Sequence, residues 1–378
     1  MTAPAAVRDA LGRLRRWLIV DALPLWWARG ADHAQGGFVD RLDLGGAPAA
    51  GFAKRVRVQA RQAYVFGLAG SRGWMRGAEP ACQHGLAGLA SMRRADGLYR
   101  ASDPSAPLVF DGMGLLYDQA FVLLALDTGR RVFADASYER DADDLRERLA
   151  AFAHPLGGFS EAPGLAAPLF ANPNMHLFES CLAWSESAAD PMWRLLADSL
   201  GRLALDRLIA AASGALFEAY EADWRAPESP AQQVVWPGHL YEWGYLLLRW
   251  RGDDAAVRRT ALRLIEVAER VGVDRDRGIV MFATDGELLP FDRGARLWAQ
   301  TERLRAVAHV AALSNDRALW GATLQAATTV EAFLDARTPG LWRDWMDEAG
   351  AFREEPAPAS SLYHIVGAIA ELEDVVEG

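Results

Sequence analysis

Apolar residues recur at helical spacing in twelve stretches: Ala5–Ala28, Val56–Arg72, Pro80–Arg94, Gly114–Thr128, Asp143–Ala151, Met175–Ala188, Met192–Ala211, Gln233–Trp250, Asp254–Val271, Arg293–Ala311, Asp316–Leu334 and Ser361–Val376. Many are bounded by Gly, Pro, Asp or Ser. No long stretch alternates apolar and polar as a strand does, so pieces such as Ala215–Tyr220 and Ile279–Ala283 predict only short two-stranded ribbons at one rim. Between the helical stretches, at a spacing of roughly 60 residues, fall six glycine-plus-apolar turns. They are Gly37-Phe38-Val39, Gly97-Leu98-Tyr99, Gly158-Phe159-Ser160, Gly214-Ala215-Leu216-Phe217, Gly278-Ile279-Val280 and Gly340-Leu341-Trp342. The pattern predicts six helix–turn–helix units, none able to bury its apolar face alone. Together they can close into a ring of inner and outer helices around one central cavity.

Composition changes this picture little. A chain of 378 residues usually divides into two or three domains, but a repeat running end to end favours one domain over residues 1–378. With 51% apolar residues, a large core is available. The net charge of −10 argues against nucleic acid or an anionic membrane as partner, because binding there draws on a basic surface. Lys54 is the one lysine among 40 basic residues, which disfavours Schiff-base chemistry. Two cysteines, Cys82 and Cys181, are too few for a disulfide framework and fit a reducing compartment. The N-terminal stretch carries Arg8, Asp9, Arg13, Arg15 and Arg16, and the following apolar run is broken by Asp21 and Pro24. It reads as neither a secretory signal nor a membrane span, so the expected location is cytoplasmic.

Candidate chemistry sits near the start of the helix after each glycine turn: Arg61, then Tyr117 and Asp118, then Asn172 and His176, then His239 and Glu242, then Glu302, then His364. Asn172 falls in the loop just before its predicted helix. Ionisable or amide groups at one phase of six repeats imply a polar ring at one end of the cavity. A single histidine on an apolar helix is commonly a satisfied core residue; three at one repeat phase are harder to explain that way. Glu242 follows His239 by three residues, on the same helical face, where a carboxylate can orient an imidazole and raise its basicity. Arg61 could pair with Glu179, Glu242 or Glu302, or stabilise a developing oxyanion. His33, His84, His154 and His309 fall outside the ring pattern. Metal-site spacings such as HExxH or CxxC are missing, as are a Walker loop and a strand-borne GxGxxG. The expectation is therefore no metal and no cofactor. Trp236, Trp298, Trp342 and Trp345 stand near the rim motifs, where an indole could stack on a sugar or simply pack.

The chain resembles the N-acylglucosamine 2-epimerase superfamily over essentially its whole length. The resemblance rests on Pro237-Gly238-His239-Leu240-Tyr241-Glu242-Trp243, Asn174-Met175-His176-Leu177-Phe178-Glu179 and Pro358-Ala359-Ser360-Ser361-Leu362-Tyr363-His364, with support from Gln59-Ala60-Arg61 and Leu297-Trp298-Ala299-Gln300-Thr301-Glu302. It implies an all-α (α/α)6 barrel, in agreement with the six-fold phase. It implies His239 and His364 as the general acid/base pair, His176 and Asn172 as substrate-binding groups, and Arg61 as the arginine contacting the sugar near C1–C2. Glu242 would orient His239, and Glu302 would be a second pocket carboxylate. Tyr117 and Asp118 are carried over as substrate-binding.

The implied reaction begins with removal of a proton α to a carbonyl, which needs a near-neutral base and a stabilised enediolate oxygen. The expected activity is aldose–ketose isomerisation of an unphosphorylated hexose, D-mannose to D-fructose, through a cis-enediol. A 2-epimerase of the mannose/glucose, N-acylglucosamine or cellobiose type would use the same parts. Arg55, Arg57 and Arg61 could bind a phosphate, which keeps mannose 6-phosphate open. The expected partner is a small monosaccharide, with the protein a monomer or homodimer. A glycoside hydrolase would need two flanking carboxylates, for which Glu242, Glu302 and Asp118 are candidates. A catalytically dead sugar-binding protein is the other rival.

Overall fold

The computed structural model describes residues 3–102, 114–165, 167–314 and 316–378. Twelve helices alternate between an outer and an inner layer. The outer helices are α1 (Ala5–Arg16), α3 (Glu79–Ala90), α5 (Ser137–Leu149), α7 (Pro191–Leu203), α9 (Ala255–Val267) and α11 (Arg317–Leu334). The inner helices are α2 (Val56–Ser71), α4 (Leu116–Phe133), α6 (Ala171–Ser187), α8 (Pro237–Arg251), α10 (Leu297–Ser314) and α12 (Ser361–Glu377). Each inner helix packs on the next, and α12 packs back on α2 to close the ring. This is an (α/α)6 barrel. The two layers have different sequences for a physical reason. In α5 only Ala142, Leu145 and Leu149 are buried, a single stripe at helical spacing. Inner helix α4 is buried on all sides from Asp118 to Gly129.

All six turn glycines adopt positive φ, from +70° at Gly37 and Gly278 to +87° at Gly340. That left-handed conformation carries no Cβ penalty only in glycine. In four repeats a buried amide from the following inner helix clamps the residue one or two positions after the turn glycine. Gln59 bonds both the N–H and C=O of Phe38 (2.6 and 2.9 Å), and Gln119 does so at Tyr99 (2.9 and 2.8 Å). Asn174 does so at Phe159 (2.9 Å each), and Gln300 at Val280 (2.8 and 2.9 Å). These bonds satisfy backbone groups that would otherwise be buried without partners. Asp190, Asp254 and Asp316 cap the outer helices α7, α9 and α11.

The helix boundaries differ from the sequence expectation where tertiary contacts intervene. Gln233 lies ahead of α8, because Val235 exchanges backbone bonds with Thr284 and the helix starts at Pro237, whose missing N–H suits a first turn. Arg293 also precedes its helix: Ala295–Arg296 pairs with Trp345–Met346 before α10 begins. The solvent-facing first turn of α5 lacks the apolar spacing that marked its second half, so the helix starts at Ser137 rather than Asp143. Helix α6 begins at Ala171 and takes in Asn172. The predicted ribbons reduce to Ala219–Tyr220, which pairs with Leu169–Phe170, and Ile279–Val280, which pairs with Val273–Asp274. A further ribbon, Arg41–Leu42 with Ala357–Pro358, ties the first repeat to the last. Buried apolar residues from all twelve helices form one connected cluster. Among the described residues no helix is long and apolar enough to cross a membrane.

Candidate active site

A cavity of about 200 Å³ opens at the end of the barrel where the inner helices begin. Its walls come from the first two turns of those helices and the residues just ahead of them: Arg55, Arg57 and Arg61, Tyr117, Asn172 and His176, Trp236, His239 and Glu242, Arg296 and Trp298, and Ser360, Ser361 and His364. All six N-termini converge here, so their dipoles favour negative charge in the cavity. The volume lies below the roughly 300–1,000 Å³ typical of drug-sized ligand sites and suits a single small polar molecule.

The Pro-Gly-His run of α8 has a packing logic. A Cβ on Gly238 would come within 2.5 Å of the Trp298 ring, so glycine admits that indole. Trp298 then lies against His239 (centroids 4.9 Å) and His364 (6.0 Å), while Trp236 covers His239 from another side at 5.0 Å. Trp342 is different: it is fully buried and stacked on Trp26. Trp345 stacks on the rim arginines Arg296 and Arg353.

Both imidazoles expected to act are tied at Nδ1. His364 Nδ1 lies 2.7 Å from Glu302 Oε1, and His239 Nδ1 lies 2.9 Å from each oxygen of Glu218. The second contact corrects the expectation that Glu242 orients His239. The carboxylate that meets His239 Nδ1 stands 21 residues upstream, immediately after the Gly214 turn. Sequence spacing pointed to Glu242 because it shares a helical face with His239, yet the imidazole nearest its carboxylate is that of His176, at 3.8 Å. Glu302 is buried behind His364 and is absent from the cavity wall.

Three buried carboxylates lie together at the base of the cavity: Glu242 in its wall, and Glu179 and Glu302 behind it. Arg305 stands 3.6 Å from both Glu179 and Glu302. Burial pushes Glu179 up, but bonds from His176 and Tyr363 and the Arg305 charge outweigh it and hold the carboxylate well below its usual range. Glu242 has no hydrogen-bond partner on either oxygen. Burial and the charges of Glu302 and Glu179 push its pKa well above the usual carboxylate range. His176 is pushed down to about 4, chiefly by burial, so it is a neutral group in the wall. His364 is lowered too, burial outweighing the Glu302 bond. Among the described residues two groups, His176 with Glu179 and Glu242, and Glu242 with Glu302 and His364, bring ligand atoms within 4.8 Å of one another and could hold a cation.

Among the described residues Arg61 meets no carboxylate directly. It donates to Tyr117 Oη (2.9 Å) and to the Ser360 carbonyl (3.3 Å), and lies 4.1 Å over the Phe121 ring. Tyr117 lines the cavity as expected, whereas Asp118 is fully buried and held by Arg57 at 2.8 Å. The amide clamps explain the register. The site residue follows the clamp by two positions in Gln59/Arg61, Asn174/His176 and Gln300/Glu302, so Gln119 assigns Phe121 to this phase. The signal for Phe121 was present in the sequence as that glutamine. No comparable signal marked Glu218 or Arg305. Asn172 lines the cavity with its Oδ1 unpaired. The other pocket arginines each face a buried aspartate: Arg55 with Asp40 (2.6 Å), Arg57 with Asp118, and Arg296 with Asp344 (2.6 Å).

The remaining histidines lie elsewhere. His84 bonds the Gly37 carbonyl at 2.8 Å, His33 that of Trp27 at 3.1 Å, and His309 pairs with Glu371 at 2.8 Å. His154 caps its own turn by accepting from Leu156 N–H. Lys54 pairs with Asp32 away from the cavity.

Comparison with known proteins agrees with this arrangement. The pattern of the N-acylglucosamine 2-epimerase (GlcNAc 2-epimerase) family matches residues 36–368. A mannose-6-phosphate isomerase of Rhizobium meliloti (strain 1021) is 41% identical over 379 residues, spanning 97% of this chain and 97% of that protein. A D-mannose isomerase of Thermobifida fusca is 28% identical over 334 residues, spanning 78% and 77%. Among solved structures, a D-mannose isomerase superposes with a TM-score of 0.88 at 19% identity, covering 99% of this chain and 100% of that one, a likeness of fold.

Proposed function

This chain belongs to the N-acylglucosamine 2-epimerase family and is a sugar isomerase or 2-epimerase, and from that premise we propose that it interconverts D-mannose and D-fructose, with His239 and His364 as the acid/base pair. The observation that carries this reading is the pair of imidazoles, each tied to a carboxylate at Nδ1 and each lining a cavity of about 200 Å³, which leaves Nε2 as the ring nitrogen free to act.

In the proposed reaction His239 assists opening of the pyranose ring. His364 is neutral near pH 7 because burial lowers its pKa, so its Nε2 can accept a proton. It takes the C2 proton of the open aldose. The electron pair of that C–H bond forms the C1=C2 double bond of a cis-enediolate, and the carbonyl pair moves onto O1. Arg61 and the convergent helix N-termini stabilise that charge. His364 then returns the proton to C1 on the same face, while the O2 proton passes to O1 and C2 becomes the ketone. His176, Asn172 and Tyr117 hold hydroxyls, and Trp298 offers an apolar face.

The three Arg–Asp pairs support an uncharged substrate, since each pocket arginine other than Arg61 already meets a buried carboxylate. A phosphorylated hexose is the second reading, favoured by the presence of those same arginines in the wall and by the name of the Rhizobium relative. The test is proton NMR of the protein in deuterium oxide, offered D-mannose and mannose 6-phosphate separately. Fructose carrying deuterium at C1 is the expected product, the proton held on His364 exchanging with solvent before it is delivered to C1. Glucose labelled at C2 as first product makes the enzyme a 2-epimerase, and turnover of mannose 6-phosphate alone overturns the neutral-sugar reading.

A further inference from the structure

The two carboxylate–imidazole pairs are built differently. Glu302 is buried and has Arg305 at 3.6 Å to share its charge. Glu218 has no arginine or lysine partner among the described residues, and its carboxylate touches His239 with both oxygens. Its backbone is held on two sides: its N–H donates to the Val234 carbonyl (2.9 Å), and its carbonyl accepts from Ala171 N–H (3.2 Å) at the start of α6. One carboxylate oxygen also accepts the Trp236 N–H, at 3.4 Å, in the residue that caps α8. The side chain is 14% exposed and borders a neighbouring cleft that Leu115, Phe170, Pro173, Glu161 and Arg57 also line, Arg57 being paired there with Asp118.

We infer that Glu218 is the positioning residue of His239. An ionised carboxylate accepts hydrogen bonds and donates none, so its contact with Nδ1 requires Nδ1–H. That fixes the tautomer and leaves the Nε2 lone pair to the cavity, between the Trp236 and Trp298 rings. When Nε2 takes a proton during ring opening, the unshared negative charge of Glu218 balances the imidazolium. Glu302, whose charge Arg305 shares, offers His364 less of this, and the two histidines are thereby set to different tasks. Glu218 itself does not line the cavity that holds His239 and His364. The inference rests on the proposed role of His239.

The test is Glu218→Gln in the full-length protein, with nitrogen-15 NMR of the His239 ring and steady-state kinetics on D-mannose. In wild type the ring is expected as the Nδ1–H tautomer. In Glu218→Gln the Nε2–H tautomer gains population, kcat falls about 10²-fold, KM changes little and thermal melting stays close to wild type. A purely structural role would lower the melting temperature and leave the tautomer and the kcat of the folded fraction intact, which overturns the inference. Glu218→Asp, which keeps the charge on a shorter arm, should retain the wild-type tautomer and recover part of kcat. If wild type fails to turn over mannose, the substrate reading fails alone, because the tautomer measurement needs no substrate.

Discussion

His364 and Glu302 sit 62 residues apart in sequence, yet their Nδ1 and Oε1 atoms lie 2.7 Å apart, with both side chains buried between α10 and α12. Glu302 in turn leans on Arg305, and Arg305 on Glu179, so the base of the cavity is one connected charge system. Such a system holds its imidazole rigidly, and it also ties catalysis to the stability of the barrel.

Replacing either His239 or His364 by Ala should remove nearly all turnover, a loss of about 10²–10⁴-fold, while the far-ultraviolet circular dichroism stays that of the wild type. Near-normal turnover in either variant would mean that the acid/base assignment is wrong.

Arg305 is the buried cation that stands 3.6 Å from both Glu179 and Glu302. Arg305→Met should cost about 3–5 kcal/mol, the scale for removing one partner of a buried pair. Urea denaturation at pH 7 measures it. Partial recovery at lower pH is expected as the stranded carboxylates protonate. A loss below 1 kcal/mol would show that water already compensates these charges.

Burial, helped by the nearby Asp118 charge, raises Glu161 from its ordinary 4.5 to about 8, and its Oε2 is buried without a partner. A raised carboxylate stabilises the fold in its protonated form, so its contribution is complete below about pH 4.5 and is lost as pH climbs to about 8. Glu161→Gln should therefore flatten the decline of unfolding free energy over that window, by up to ~1.4 kcal/mol per pH unit. Parallel curves for wild type and variant in a pH series of denaturant melts would refute this.

Two glycines make opposite predictions. Gly340 sits at φ +87° with the Asp21 carbonyl 2.6 Å from where a Cβ would be, so Gly340→Ala should destabilise by more than about 1 kcal/mol. Gly12 lies mid-helix in α1 with open space around it, and Gly12→Ala should stabilise by about 0.4–1 kcal/mol. Calorimetry of both variants checks the pair together.

Much of the architecture was legible in the sequence because its signals are local. Helical period, the six glycines that take positive φ and the phase of the polar residues are each set within a few residues of chain. They were enough to read a six-unit ring and to bring Arg61, Tyr117, Asn172, His176, His239, Glu242 and His364 to one cavity. Partnership was not legible. Glu242 shares a helical face with His239 and was the natural partner by spacing, but ring closure carries Glu218 in from the preceding turn and turns Glu242 toward His176. Asp118 looked available until Arg57 met it across α2 and α4. Arg305 gave no sign of its position beneath the cavity. Spacing along one helix determines which side chains share a face. Which of those side chains pair, and which protonation state burial imposes, depends on helices brought together only when the ring closes.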